Sequence, residues 1–216
     1  MKRLLTGALL TLSFASHAEL VSTDWKTEGD ALATLDTETG IEWLDLSETD
    51  ELSIDTVISM TSAGGEFEGW RLPTQSEVTA LLQTLFPAGI STGKQTSTAK
   101  YGESVSAFYE LFGYTATDTP RAYGLYQRDD TGAVRMAGAS GSDTVFANYS
   151  HSVYSTTLSH TYYGVWLVSD GGDTLSSIND PSLNIMNANS PYNVPLAGSG
   201  ALALLALGAG VRKKSR

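Results

Sequence analysis

The 216-residue chain has no cysteine. This absence excludes a disulfide framework, a thiol nucleophile and a thiolate metal site. Neither a Gly-x-Ser-x-Gly nucleophile motif nor a glycine-rich phosphate-binding loop occurs. A Ser-His-Asp site and a pair of catalytic carboxylates remain open interpretations, because such sites depend on spatial arrangement and not on sequence spacing.

Positive charge is scarce between residues 19 and 193. Seven lysines and arginines stand there against all 24 acidic residues of the chain, which gives a net charge of −17 (7 − 24). A field of this sign argues against nucleic acid and anionic membrane surfaces as partners. It suits solubility outside the cell and favours contact with cations or basic surfaces.

The N-terminus has the pattern of a secretory signal peptide. Met-Lys-Arg precedes an apolar run at 4–14, which is too short to span a bilayer. Small residues then occupy positions −3 and −1 of a cut after Ala18. The alternative, a buried first helix, leaves the charge and the cleavage pattern unexplained. We expect residues 1–18 to be removed and the mature protein to begin at Glu19.

The C-terminal tail, residues 194–216, combines a proline motif, an apolar run and a basic end. Val-Pro-Leu-Ala opens it at Val194, and residues 196–211 are almost uncharged before Arg-Lys-Lys-Ser-Arg. Such a run is short for a membrane span but can cross, with the basic end on the cytoplasmic side. The sequence therefore predicts a C-terminal transmembrane sorting helix, preceded by a linker at 174–193.

This tail resembles the sorting tails of the PEP-CTERM type, found on exported proteins of Gram-negative bacteria. Pro-Glu-Pro is absent, and the motif is closer to the Val-Pro-Leu-Pro-Ala variant without its second proline. The resemblance implies an inner-membrane stage and processing near Val194 and Pro195 by an exosortase-like protease. The product would reach the cell surface or the medium. Without processing, the chain would be a single-span inner-membrane protein facing the periplasm.

Residues 19–173 are predicted to form an α+β domain. Turn residues between apolar runs predict two hairpins, and helical spacing of apolar residues predicts three helices. The hairpins are at 31–46, around the turn 37–40, and at 121–138, around the turn 129–132. The helices are at about 53–62, 74–86 and 104–112. Residues 88–102 and 139–161 are polar and predicted mainly as loops, with a strand at 144–147.

Two features place apolar residues inside this domain. Residues 162–168 are apolar on both faces, which predicts a central strand. Trp43, Trp70 and Trp166 lie amid apolar residues, and we expect these three side chains in the core.

Residues 70–74, Trp-Arg-Leu-Pro-Thr, indicate a chain reversal that enters a helix. Thr74 and Glu77 have the spacing of a capping box, in which each side chain bonds an unpaired backbone N–H. Pro73 favours an extended residue before it. Neither the capping box nor Pro73 accounts for the presence of Arg71. A salt bridge to local acids is favoured there over a ligand contact.

Three segments resemble a family of exported bacterial proteins that is similar to the C-terminal domain of the Legionella collagen-like adhesin. They are 40–45 (Gly-Ile-Glu-Trp-Leu-Asp), 69–74 followed by Glu77, and 165–168 (Val-Trp-Leu-Val). The central motif is also similar, more distantly, to formylglycine-generating enzymes and the C-type-lectin-like fold. The resemblance covers about residues 30–170. It implies a lectin-like domain with two main helices on a small antiparallel sheet, and no functional residue carries over.

Few residues stand out as ligands or catalysts. His151 and His160 lie in a polar stretch and are expected in surface loops. The acidic segments 45–51 and 170–173 offer oxygen ligands and leave calcium binding open, although neither has the EF-hand pattern. Solvated turns are the favoured interpretation of both. No other cofactor is expected.

We expect a non-catalytic surface module acting in adhesion, extracellular matrix or glycan contact, because long polar loops often carry binding sites. The alternatives are a hydrolase acting on extracellular polysaccharide or peptide, and a purely structural role. Tyrosines at the loop edges could stack on sugar rings, or could simply cover the core. They are Tyr101, Tyr154, Tyr162 and Tyr163.

Overall fold

The computed structural model describes residues 19–116 and 118–190. The signal peptide, the processing positions Ala18, Val194 and Pro195, and the transmembrane segment predicted at 196–211 lie outside these residues. Within the described residues, no helix has the length and apolar character needed to cross a membrane.

Nine strands and four α-helices form in the described residues. The strands are β1 (Leu20–Thr23), β2 (Ala33–Asp36), β3 (Glu42–Leu44), β4 (Gly93–Thr96), β5 (Arg121–Gln127), β6 (Val134–Ser140), β7 (Thr144–Tyr149), β8 (Gly164–Val165) and β9 (Val168–Ser169). The helices are α1 (Ile54–Met60), α2 (Gln75–Leu85), α3 (Thr98–Phe112) and α4 (Leu175–Asn179). Short 3₁₀ helices form at Leu46–Thr49 and Pro181–Asn184. The prediction of an α+β domain is confirmed.

The strands divide into two sheets. The first has the order β1-β2-β3-β9 and is antiparallel throughout. The second has the order β4-β7-β6-β5-β8, and β8 runs parallel to β5. Both predicted hairpins form, as β2–β3 and β5–β6. The expectation of one small, wholly antiparallel sheet is therefore wrong.

The prediction of a single central strand at 162–168 is also wrong, because this segment joins the two sheets. β8 ends one edge of the second sheet, and β9 ends one edge of the first. Between them, the backbone N–H of Trp166 donates to Leu125 O over 2.9 Å, and Leu167 O accepts from Leu44 N over 3.1 Å. Trp166 and Leu167 belong to different core clusters. The segment is apolar on both faces because it separates two cores.

The tryptophan prediction is confirmed. The exposed fractions of Trp43, Trp70 and Trp166 are 2%, 4% and 0%. Trp43 and Trp166 meet edge to face, with ring centroids 5.5 Å apart, in the cluster that α2 and α3 cover. Trp70 lies in the second cluster, against the edge of Trp25 at 6.0 Å.

Regular structure forms in the segment 88–102, which was predicted as a loop. Residues 88–102 contain β4 and the start of α3, so the loop prediction is wrong there. Strand β4 is an edge strand whose side chains alternate between partly buried and exposed, which leaves little apolar signal in its sequence. Helix α3 begins at Thr98, six residues before the predicted start at 104, since its first turn is polar.

The segment predicted as a linker, 174–193, contains α4 and the second 3₁₀ helix in its described part. Thr174, Ser177 and Asn184 are each at most 1% exposed there. The buried positions of this segment are polar residues that form hydrogen bonds. Because they are not apolar, the sequence lacks the apolar periodicity from which a packed element is predicted.

Candidate functional site

Arg71 is fixed by protein groups. Its two Nη atoms donate to Glu77 over 2.7 and 3.0 Å, and Nη2 also donates to Asp170 over 2.5 Å. Nε donates to Asp170 over 3.3 Å and Nη1 to Leu72 O over 3.2 Å. A guanidinium has five N–H donors, so all of them have acceptors. The expected salt bridge is confirmed, and the side chain has no donor left for a ligand.

The electrostatics of this group agree with a structural role. The hydrogen bonds that Arg71 donates to Glu77 and to Asp170 outweigh burial and raise the pKa of Arg71. Burial opposes ionisation of Glu77, but the bonds from Arg71 and Thr74 lower the pKa of Glu77 overall. Glu77 also accepts from Thr74 N over 2.7 Å and completes the predicted capping box of α2.

The acidic segments considered for calcium do not converge on a metal site. Among the described residues, no group of three or more histidine or acidic side chains is placed to hold a metal ion. Asp45 is 6% exposed, its Oδ1 has no hydrogen-bond partner, and burial, with repulsion from Glu48 and Asp30, raises the pKa of Asp45 to about 8. Asp170 is held by Arg71, and Asp173 accepts from Ser169.

Five aromatic side chains form a closed circuit on the second sheet and the loop that follows it. Successive ring centroids are 5.3 to 6.4 Å apart, and the fifth ring stacks on the first at 5.8 Å. Four of the five are tyrosines that remain partly exposed, whereas the phenylalanine is buried. We call this the aromatic cluster, made of Tyr123, Phe146, Tyr149, Tyr154 and Tyr163.

The loop that carries Tyr154 and Tyr163 is tied to other elements. Tyr163 O accepts from Glu51 N over 3.2 Å, and Thr156 O accepts from Asp55 N, at the start of α1, over 3.0 Å. Burial and the hydrogen bond with Tyr163 raise the pKa of Tyr154. The phenol therefore stays neutral and keeps its proton throughout the physiological pH range.

The histidines extend the aromatic cluster outward. His151 and His160 are exposed loop residues, as expected. The ring of His151 lies 5.8 Å from Tyr154, and the ring of His160 lies 5.7 Å from Tyr163 and 4.7 Å from Tyr162. Rings from separate parts of the loop thus surround Tyr163.

A groove of about 320 Å³ adjoins Tyr162. The carboxylates of Asp50 and Asp118 line it, together with the exposed ring of Tyr114. Burial raises the pKa of Asp50 to about 6. Asp118 pairs with Arg121 over 3.6 Å, and this guanidinium lies 4.4 Å from the centre of the Tyr162 ring.

The structure brings together three of the four tyrosines expected at a ligand surface. Tyr154 and Tyr163 are in contact, and His160 connects Tyr163 to Tyr162. Tyr101 lies elsewhere, 2% exposed in the core, with its hydroxyl 2.8 Å from Gln95 Oε1. The prediction that Tyr101 lies on a ligand surface is wrong. Helix α3 begins before Tyr101 and turns the Tyr101 ring towards the core.

The sequence analysis missed Tyr123 and Tyr149. Tyr123 lies in β5 between the buried residues Ala122 and Gly124, and this alternation is the signal that could have identified it. Tyr149 follows the bulge at the end of β7, between residues that are not buried, so it has no such signal. Comparison with known proteins adds no further residue: no protein-family model, curated protein or solved structure matches this chain.

Proposed function

We propose that this protein is an exported, surface-sorted, non-catalytic module of lectin-like type that binds a glycan of the extracellular matrix through the aromatic cluster. The observation that carries the proposal is the closed circuit of four partly exposed tyrosines and one buried phenylalanine. Tyrosine combines a rigid apolar face with a hydroxyl, which suits a ligand with C–H faces and many hydroxyl groups.

The arrangement of these rings favours binding over a purely structural role. The tyrosines cover the second core cluster, yet each keeps part of its surface in solvent. Covering a core requires only apolar contact, whereas the adjoining His151 and His160 are exposed and add polar atoms around the rings. The loop is held by backbone hydrogen bonds, which lowers the entropic cost of binding.

The signal-peptide pattern and the sorting-tail pattern support the proposed route. They imply passage through the inner membrane, recognition by an exosortase-like protease, and a final place at the cell surface or outside. The net negative charge between residues 19 and 193 supports a neutral or cationic glycan over an anionic one.

Binding is tested with the full-length protein on a glycan array and on insoluble polysaccharides, with calcium and with chelator. The variant Tyr163→Ala removes the ring that contacts Tyr123, Tyr154 and His160. We expect it to lose binding, whereas Tyr114→Ala removes an exposed tyrosine outside the aromatic cluster and keeps binding. Equal binding by both variants, with unchanged circular dichroism, would refute the proposal.

One observation favours a second candidate, a hydrolase of extracellular polysaccharide. Asp50, whose pKa burial raises to about 6, lines a groove with a second carboxylate, Asp118. Glycosidases use two carboxyl groups, one of which has a raised pKa. Release of reducing ends by the wild type, abolished in Asp50→Asn, would support this candidate over the binding module.

A further inference from the structure

A second concavity lies between α2 and the second sheet. Two hollows, with volumes of about 490 and 230 Å³, are both lined by Gln75, Thr79 and Gln83. The two hollows adjoin at these shared residues, and we call them together the α2 groove. It shares no lining residue with the aromatic cluster. The larger hollow has the volume of a small-molecule site.

The smaller hollow of the α2 groove has an apolar floor, and the polar residues that line it are uncharged. Leu82, Tyr126 and Ala147 form the floor, with exposed fractions of 2%, 1% and 8%. Three residues with amide side chains line this hollow: Gln75 and Gln83 of α2 and Asn148 of β7. Each amide can both donate and accept hydrogen bonds.

The acids at one end of the groove already have partners. Asp129 Oδ2 accepts from the backbone N–H of Gln75, in the first turn of α2, over 3.2 Å. Asp130 accepts from Arg128 over 2.5 and 2.9 Å. The Asp129 contact ties the β5–β6 turn to α2 beside the larger hollow. Amides and hydroxyls are the polar groups that line the smaller hollow.

Asn148 reaches this groove through a β-bulge. Met136 pairs with Tyr149 and Gly138 with Phe146, so two residues of β7 oppose one residue of β6. Asn148 has φ of +46°, a left-handed conformation that asparagine tolerates better than most residues. Its Oδ1 accepts from the Tyr126 hydroxyl over 3.5 Å. Bulges often redirect a side chain towards a functional site.

The same bulge builds both sites. Phe146 and Tyr149 fall on one side, with ring centroids 5.3 Å apart in the aromatic cluster. Ala147 and Asn148, the residues between them, line the α2 groove. A regular strand would alternate these residues and could not place either pair together. The bulge at Asn148 thus places two aromatic rings together on one face of the sheet and two groove residues together on the other.

We propose that the α2 groove is a second binding site, which takes a neutral, polyhydroxylated ligand of one or two sugar units. The apolar floor contacts the C–H face of such a ligand, and the amides of Gln75, Gln83 and Asn148 bond its hydroxyls. An anionic ligand finds no cation on these walls. The inference does not depend on the aromatic cluster, because it rests on separate residues.

The test is an NMR titration of ¹⁵N-labelled full-length protein with maltohexaose and with chitohexaose. We expect at least one of these neutral probes to shift the side-chain amide signals of Gln75, Gln83 and Asn148. A heparin hexasaccharide, as the anionic probe, should leave these signals in place. No shift with either neutral probe at concentrations on the order of 10 mM would overturn the proposal.

Two variants make the test specific. Asn148→Gly removes the amide and keeps a residue that readily adopts positive φ, so the bulge should persist. Gln83→Ala removes an exposed amide at a helical position that alanine favours. We expect each to weaken groove binding by about tenfold, the effect of losing one or two hydrogen bonds. Wild-type affinity in both variants would overturn the proposal.

Tyr163→Ala is the matched control from the aromatic cluster. It should leave the α2 groove signals and affinity unchanged while it abolishes binding to insoluble polysaccharide. Loss of groove binding in Tyr163→Ala, with intact circular dichroism, would show that the two surfaces are one site and would overturn the proposal of a second one.

Discussion

Nη2 of Arg71 donates to Oδ1 of Asp170 over 2.5 Å, although the two residues are 99 positions apart in the chain. The backbone of Arg71 also pairs with Val168 through two hydrogen bonds of 2.8 Å. Glu77 binds the other side of the same guanidinium. One side chain therefore joins the start of α2 to the chain just after β9, beside the first sheet.

Replacing Arg71 tests whether this link stabilises the domain. Arg71→Lys keeps the charge but cannot satisfy two carboxylates with a planar fork. We expect a loss of about 1–2 kcal/mol in the free energy of unfolding, a modest figure because the side chain is about one-third exposed and solvent screens it. Urea denaturation measures it. Arg128→Lys, whose arginine pairs with the single exposed carboxylate of Asp130 within one turn, should match the wild type, and an equal loss in both would contradict the interpretation.

A buried carboxyl at Asp45 predicts an unusual dependence of stability on pH. Its side chain is 6% exposed, and its Oδ2 lies 3.4 Å from where a Cβ on Gly113 would be, at the C-terminal end of α3. The negative end of the helix dipole disfavours a carboxylate there. Burial, with Glu48 and Asp30, raises the pKa of Asp45 to about 8 from the model-peptide value of 3.8.

Since the folded pKa is the higher one, the protonated form is the stabilising one. Its contribution is complete below about pH 4 and is lost as the pH rises to about 8. Asp45→Asn mimics the neutral form, so its advantage over the wild type should grow across this window. The slope approaches about 1.4 kcal/mol per pH unit. Urea denaturation from pH 5 to pH 8 measures it. If the free energies of unfolding of Asp45→Asn and the wild type changed in parallel with pH, the prediction would be contradicted. Glu28→Gln is the control, because it removes one exposed acid.

Local patterns predicted the elements whose determinants are adjacent in the chain. The Thr74–Glu77 capping box needs only a spacing of three, and the apolar residues after it set the buried face of α2. Both hairpins follow from turn residues between apolar runs. The acids that bind Arg71 could be anticipated only as a class, because Asp170 comes close through the folding of the sheet.

The remaining features depend on contacts between distant parts of the chain. Residues 162–168 look like one buried strand, and only the presence of two sheets shows why β8 and β9 are separate. The bulge at Asn148 leaves no mark in the sequence, because a register shift depends on the partner strand. The aromatic cluster depends on that bulge, and so its membership could not be predicted in full.

The segment after β9 is expected to contribute to stability. Glu42 is 1% exposed and accepts from the Thr174 hydroxyl over 2.6 Å and from the Ser177 hydroxyl. Thr174→Val keeps the shape but leaves a buried carboxylate with one donor fewer, and Thr174 also caps α4. We expect a loss of about 1–3 kcal/mol. Urea denaturation measures it, and proteolysis should become faster between residues 174 and 190.

The control for this prediction is Thr131→Val, in the exposed turn between β5 and β6. It should change the free energy of unfolding by less than about 0.5 kcal/mol. If Thr174→Val behaved like this control, the segment would be a linker that contributes nothing to the domain, as the sequence alone predicted.

Two glycines with opposite surroundings provide a final test of the packing around Trp166. A Cβ at Gly124 in β5 would overlap the Trp166 indole, whose Nε1 donates to Ala137 O over 3.3 Å. Gly124→Ala must displace this ring, and we expect a loss of about 1–3 kcal/mol with altered tryptophan fluorescence. A Cβ at Gly102 in α3 would be 3.7 Å from its nearest neighbour, a normal contact. Gly102→Ala should therefore gain about 0.5–1 kcal/mol from helix propensity and leave the fluorescence unchanged. Calorimetry of both variants decides the matter: if Gly124→Ala melts at or above the wild-type temperature, the indole does not occupy the place in the core that the structure gives it.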